Sequence, residues 1–129
     1  MKKLIFTTLL MVCSMPVTWA QKPAQIKFAK TTHNFGSFSE KEPKMTYTFT
    51  FTNEGEQPLV INQVIASCKC TIPEYSKDPI LPGGTGEIKV TYNGSEQIPG
   101  HFKKFIIVRS NGAVDKTRLS IEGDMMEAK

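Results

Sequence analysis

Met45-Thr46-Tyr47-Thr48-Phe49-Thr50-Phe51-Thr52 sets a large apolar residue at every odd position and threonine at every even one. Successive side chains of a strand point to opposite faces, so this spacing predicts a strand with one buried face and one face of hydroxyls. A sheet buried on one side and wet on the other is how an antiparallel sandwich treats its strands. Threonine keeps β propensity on the wet side without adding apolar surface there.

Downstream, Asn53-Glu54-Gly55-Glu56 turns the chain and Pro58 opens the next strand. In that strand Leu59-Val60-Ile61 and Val64-Ile65-Ala66 are apolar at adjacent positions, which predicts a more central place in its sheet. The chain then passes Ser67-Cys68-Lys69-Cys70 into Thr71-Ile72-Pro73, and Tyr75 to Gly84 reads as loop on its Pro and Gly pairs. Gly83-Gly84-Thr85-Gly86 lacks the lysine and following helix of a phosphate loop and serves as a strand-entry turn. Gly86 to Tyr92 alternates again. Asn93-Gly94 ends it as a tight turn, although Asn93-Gly94-Ser95 also spells a glycosylation acceptor. A further strand covers Phe102 to Val108, and Thr117 to Ile121 makes the last, which Met125 and Met126 finish.

Upstream, Ile26-Lys27-Phe28 alternates as a short first strand, and Thr31 to Glu40 forms an irregular edge segment with a bulge at Gly36. No stretch sustains a helical period. Short strands with frequent turn signals predict an all-β protein, an immunoglobulin-like antiparallel β-sandwich of about seven strands. Its expected core is Tyr47, Phe49, Phe51, Leu59, Ile61, Ile88, Val90, Phe105, Ile107, Leu119 and Ile121, each worth about 1.5 to 3 kcal/mol when fully buried, before entropy is subtracted.

The 129 residues make one domain. Met1-Lys2-Lys3, the apolar run Leu4 to Val12 and small residues before Gln21 have the layout of a secretory signal peptide cleaved after Ala20. The run is too interrupted, by Thr7, Thr8, Ser14 and Pro16, for a retained span of about 20 apolar residues. Lipid attachment through Cys13 is disfavoured, because Met11-Val12 stand where that signal wants small residues. The expected organisation is signal peptide 1–20, short polar tether 21–25, sandwich 26–125 and tail 126–129, with a periplasmic or secreted location. Losing Lys2 and Lys3 lowers the formal charge from +4 to +2, and export removes nucleic acid as a partner.

Several ordered pieces of the chain resemble an exported bacterial family, domain of unknown function 1573. They are Thr32-His33-Asn34-Phe35-Gly36, Phe51-Thr52-Asn53-Glu54-Gly55 with Pro58-Leu59-Val60-Ile61, Ser67-Cys68-Lys69-Cys70-Thr71, Pro79-Ile80-Leu81-Pro82-Gly83, and Gly100-His101-Phe102-Lys103-Lys104 with Ser110-Asn111. The resemblance covers about Ile26 to Asp124. It implies an immunoglobulin-like sandwich related to modules of flagellar and centrosomal proteins and of pilus chaperones, and it implies no activity. Lys69 stands where glycine is usual between the cysteines, and Asn34 where aspartate is common.

Cys68 and Cys70 are the one constellation with chemical potential. Two residues on an extended strand separate their Cα atoms by up to about 7 Å, at the limit of the disulfide range, so a bond requires a bend at Lys69. Lysine with positive φ is disfavoured there. As a staple the pair is poor: the chain-entropy expression gives roughly 1.6 kcal/mol for a three-residue loop. Three readings stay open: a structural pair, a redox pair whose thiolate Lys69 favours, and a metal site in which Cys68 and Cys70 bind Cu(I). Zinc is not expected from two ligands, and His33 and His101 read as surface or capped histidines. Lys103-Lys104 reads as a solvated edge that discourages aggregation.

No motif ties Ser67 to either histidine, and no paired carboxylates mark a pocket-forming loop, so no enzyme is expected. The sequence points instead to an exported binding or assembly module without a catalytic or cofactor site, using sandwich loops or an open edge strand against a protein partner. The alternative is a periplasmic thiol-redox or copper-handling protein centred on Cys68-Lys69-Cys70.

Overall fold

The structure, a computed structural model, describes residues 22–128. The expected signal peptide, its cleavage point and Cys13 lie outside the described residues. The described chain forms eight strands: β1 (Ile26–Phe28), β2 (Thr32–Ser39), β3 (Lys44–Asn53), β4 (Ile61–Ala66), β5 (Thr71–Tyr75), β6 (Thr85–Asn93), β7 (Gly100–Ser110) and β8 (Lys116–Met126). They make two four-stranded sheets, ordered β1-β3-β6-β5 and β2-β8-β7-β4. The expected immunoglobulin-like sandwich is present, with one strand more than anticipated. The pairings are antiparallel except that β2 runs parallel to β8.

The threonine-alternating stretch is β3. Phe49 and Phe51 are buried against Ile88, Val90 and Tyr92 of β6, while Thr46 and Thr50 are exposed. Ile106, Val108, Leu119 and Ile121 close the core from the other sheet, with Leu59 and Ile61, while Phe28 of β1 joins it beside Phe51. The bulge in β2 falls between Asn34 and Ser37, where Gly36 has φ of 72°. The Asn34 Oδ1 accepts the Gly36 N–H at 2.7 Å, an acceptor role that aspartate serves equally well.

Five sequence expectations change. Phe105 and Ile107 are not core residues: β7 buries Phe102, Ile106, Val108 and Ser110, and turns Phe105 and Ile107 to its outer face. A run of four apolar residues carries no alternation and so fixes no phase. Lys103-Lys104 lies on β7, an interior strand, and guards no edge. Conversely β4, expected to be central, is an edge. Its adjacent apolar residues arise because Ile61 enters the core while Ile65 faces out, 42% exposed. Thr71 to Tyr75 continues as a strand through Pro73, which an edge tolerates.

The fifth concerns Lys22 to Gln25, which is no loose tether. Ala24 is buried, and its carbonyl accepts the Ala113 N–H while the Gln25 carbonyl accepts that of Glu54. A β-carbon at Gly55 would collide with the Pro23 carbonyl oxygen, so glycine is what lets this segment lie across the β3–β4 turn.

Candidate binding edge and its cysteine turn

Asn53 closes β3 and is fully buried. Its Nδ2 donates to the carbonyls of Gln57 and Ile80 at 2.7 and 2.9 Å. Its Oδ1 accepts the N–H groups of Gln25 and Gly55 at 3.2 and 3.0 Å. One amide thus ties the N-terminal segment, the β3–β4 turn and the β5–β6 loop together, with its side chain's hydrogen-bonding capacity in use. Asn111 works similarly nearby, accepting from Val60 N and donating to the Pro58 carbonyl. Leu59 bridges Ile80 between them. The Asn53, Pro58–Ile61, Pro79–Gly83 and Ser110–Asn111 pieces of the sequence therefore converge at one end of the sandwich and act as its architecture. The sequence marked Asn53 only as a turn residue, because burial of an amide depends on carbonyls that arrive from distant segments.

The cysteines sit near the opposite end. Ser67 prolongs the β4–β7 ladder, donating its N–H to the Phe105 carbonyl at 3.0 Å and accepting the Phe105 N–H on its hydroxyl at 3.1 Å. The chain then leaves β4 in one sheet for β5 in the other. Its bend is a β-turn in which Thr71 N–H donates to the Cys68 carbonyl at 3.1 Å, and no residue but glycine has positive φ among the described residues. Lys69 therefore makes the bend without the left-handed conformation that a lysine would resist. The Cα atoms of Cys68 and Cys70 come to 5.1 Å and the sulfurs are within bonding distance. Cys70 is buried and Cys68 half-buried. In this bonded form the pair offers no thiolate, so Cu(I) would require its reduction first.

The other candidate residues stay apart from the cysteines. His33 is half-buried and stacks on Tyr47, with ring centroids 3.7 Å apart, so it is a packing residue rather than a surface one. Burial, and then the charge of Lys30, hold its pKa below the ordinary 6.5. His101 is exposed, with Nδ1 2.9 Å from Asp124 and Nε2 3.7 Å from Glu122. Among the described residues no group of three His, Cys, Asp or Glu is placed to hold a metal ion. A cleft beside the turn is lined by Lys69, Cys70, Asn93, Ser95, Glu96 and Gln97.

The open side between β4 and β5 is the more distinctive surface. From β4, Val64 and Ala66 face inward. From β5, Pro73 and Tyr75 do, opposite Val90 and Ile88. All four are only half-buried, so an apolar seam between the sheets reaches solvent there, with the cysteine turn at one end. Hydrogen-bonded pairs alternate along an antiparallel ladder, and Ser67 faces Phe105. The backbone N–H and C=O groups of Val64 and Ala66 therefore point away from β7, toward the open edge. Beside them on the outer face, Ile65 lies opposite Ile107, next to Phe105.

The four edges differ in how they resist pairing. β1 has three residues, β2 is bulged at Gly36, and β5 carries Pro73. Each is a device that blunts an edge. β4, Ile61-Asn62-Gln63-Val64-Ile65-Ala66, has no charge, proline or glycine, and its irregularity is confined to Ile61–Gln63.

Residues 26–125 match the model of a family described as a protein of unknown function, DUF1573. Among solved structures, the chain resembles a protein of unknown function from Porphyromonas gingivalis W83, with TM-score 0.72, 14% identity and coverage of 87% of this chain and 51% of that one. The chain thus spans about half the length of that protein. It also resembles the ASH or PapD-like domain 7 of human CEP192, with TM-score 0.67, 12% identity and coverage of 92% and 99%. The periplasmic chaperone SfaE aligns with TM-score 0.59, 9% identity and coverage of 81% and 60%. At these identities the likeness is one of fold. No curated protein matches the sequence, and among the described residues no helix is long and apolar enough to cross a membrane.

Proposed function

The chain therefore belongs to the DUF1573 family, and we propose that it is an exported, non-enzymatic binding or assembly module that takes up an extended segment of a partner protein along β4. The observation that carries this reading is the unblunted β4 edge: free main-chain groups at Val64 and Ala66, bordered by the half-buried seam of Pro73 and Tyr75. Main-chain hydrogen bonds give an added strand its affinity, and alternate side chains give it selectivity. Likeness in fold to a periplasmic chaperone and to a PapD-like domain supports a protein-binding role. The secretory layout of residues 1–20 supports export.

The test is backbone-amide shift mapping with a ten-residue peptide of alternating valine and threonine. Shifts at Val64 and Ala66, abolished by Ala66→Pro, are expected. The Ala66 N–H faces outward, so proline removes a donor for the peptide and none from the β7 ladder. Shifts confined to β1, β2 or β5, or unaffected by Ala66→Pro, would refute the reading.

A further inference from the structure

The outer face of the β2-β8-β7-β4 sheet is divided in charge. Toward the Arg109 end of β7 it carries Arg109, Lys116 and Arg118 around Ile107, with Lys103 on the far side of Phe105. The guanidinium of Arg118 lies 4.9 Å and the ammonium of Lys103 5.8 Å from the centre of the Phe105 ring. Arg109 and Lys116 are directly opposite each other, a like-charge pair that costs stability. None of these four cations forms an ion pair among the described residues. The face's strand carboxylates lie farther along β8, Glu122 directly opposite Lys103 and Asp124 opposite His101, so Arg109, Lys116 and Arg118 are the cations with no carboxylate across from them.

Resting on the β4 reading above, we infer that the partner segment alternates apolar and acidic residues. Its apolar side chains face the seam of Val64, Ala66, Pro73 and Tyr75. Its carboxylates lie on the outer face, beyond Gln63 and Ile65, on the side of Arg109 and Arg118. A strand alternates its side chains between faces, so one extended segment meets both demands. Cations with no carboxylate opposite them, Arg109 nearest the edge, favour an anionic partner and reject a cationic one. The same argument excludes a second copy of this chain. Pairing β4 with its symmetry mate would set two positive half-faces against each other.

The experiment uses the protein processed from its full chain and three ten-residue peptides in which valine alternates with glutamate, threonine or lysine, read by fluorescence anisotropy at low salt. The glutamate peptide is expected to bind at least about tenfold more tightly than the threonine peptide, and the lysine peptide more weakly than either. The preference should shrink as salt is raised and invert in Arg109→Glu/Arg118→Glu, whose exposed positions leave the core untouched. Equal affinities that are all abolished by Ala66→Pro would overturn the acidic partner while leaving the β4 edge standing. Glutamate selectivity that persists in Ala66→Pro would overturn the strand-addition geometry. Self-association through β4, detected by sedimentation and lost in Ala66→Pro, would overturn the choice of partner.

Discussion

Replacing Asn53 by alanine removes four hydrogen bonds at once, those to Gln25, Gly55, Gln57 and Ile80. At about 1 kcal/mol net for each bond, the expected loss is about 4 kcal/mol, near the upper end for a single substitution. A domain of this size moves its Tm by roughly 4 to 8 °C per kcal/mol, so the midpoint should fall by at least about 15 °C. Urea titration followed by circular dichroism measures the loss directly. Asn53→Asp sharpens the test, because it keeps the acceptor for Gln25 and Gly55 but aims a second acceptor at two carbonyls. Burial and those carbonyls hold the new carboxyl above its unfolded value of about 3.9. The raised folded pKa makes this variant most stable at acid pH, where it is protonated and can donate, with stability falling as pH rises through that value. A loss in Asn53→Ala below about 1 kcal/mol, the scale of one ordinary hydrogen bond, would refute the hub reading.

Three further expectations are independent of that one. Ile106→Ala should cost about 2 to 5 kcal/mol as a core truncation, and Ile107→Ala under about 1 kcal/mol, in chemical denaturation; the reverse order would restore the phase that the sequence suggested. His33 has a lowered folded pKa, so its contribution is complete above 6.5 and fades as pH falls through 6.5 toward the folded value. His33→Phe should flatten that part of the stability profile while keeping the stack on Tyr47. Replacing both Cys68 and Cys70 with serine should lower stability by roughly 1.6 kcal/mol for the lost loop closure, plus about 1 to 3 kcal/mol for the hydroxyl placed at buried Cys70, as followed by urea titration. If the pair handles copper, the reduced wild type binds one Cu(I) against a competing chelator and the serine variant binds none; equal binding by both removes the cysteines from any copper site.

Periodicity made the sandwich legible, and it worked where alternation was strict. Met45 to Thr52 and Gly86 to Tyr92 place their inward faces as read, and these two segments became the paired strands β3 and β6. Phe105 to Val108 defeated the same reasoning because every position is apolar. Its phase is set by Leu119 opposite Ile106, a partner the local sequence cannot reveal. β4 misled for a related reason: its doubled apolar residues suggested burial on both faces, whereas one of them, Ile65, is the exposed surface beside the edge. The cysteine turn and the need for a bend at Lys69 were legible in the sequence, but the way it bends was not, since a turn with negative φ at Lys69 leaves no glycine signature. The seam between β4 and β5 was beyond reach altogether. It depends on two edge strands in different sheets lying on one side of the sandwich.

The N-terminal stretch divides its loyalty: β1 joins β3 in one sheet, and β2 joins β8 in the other. The hydroxyls of Thr32 and Ser120 meet at 3.1 Å although 88 residues separate them. A chain that emerges amino end first can lay β1 on β3 early, but β2 must wait for the last strand of all. Such distant closure slows folding, because the entropy of a long loop is lost before any contact rewards it. Until Lys116–Met126 arrives, β2 has no neighbour in its sheet and β7 lies open along the side that β8 will cover. During its own assembly, therefore, this chain passes through the condition of a sheet missing one strand.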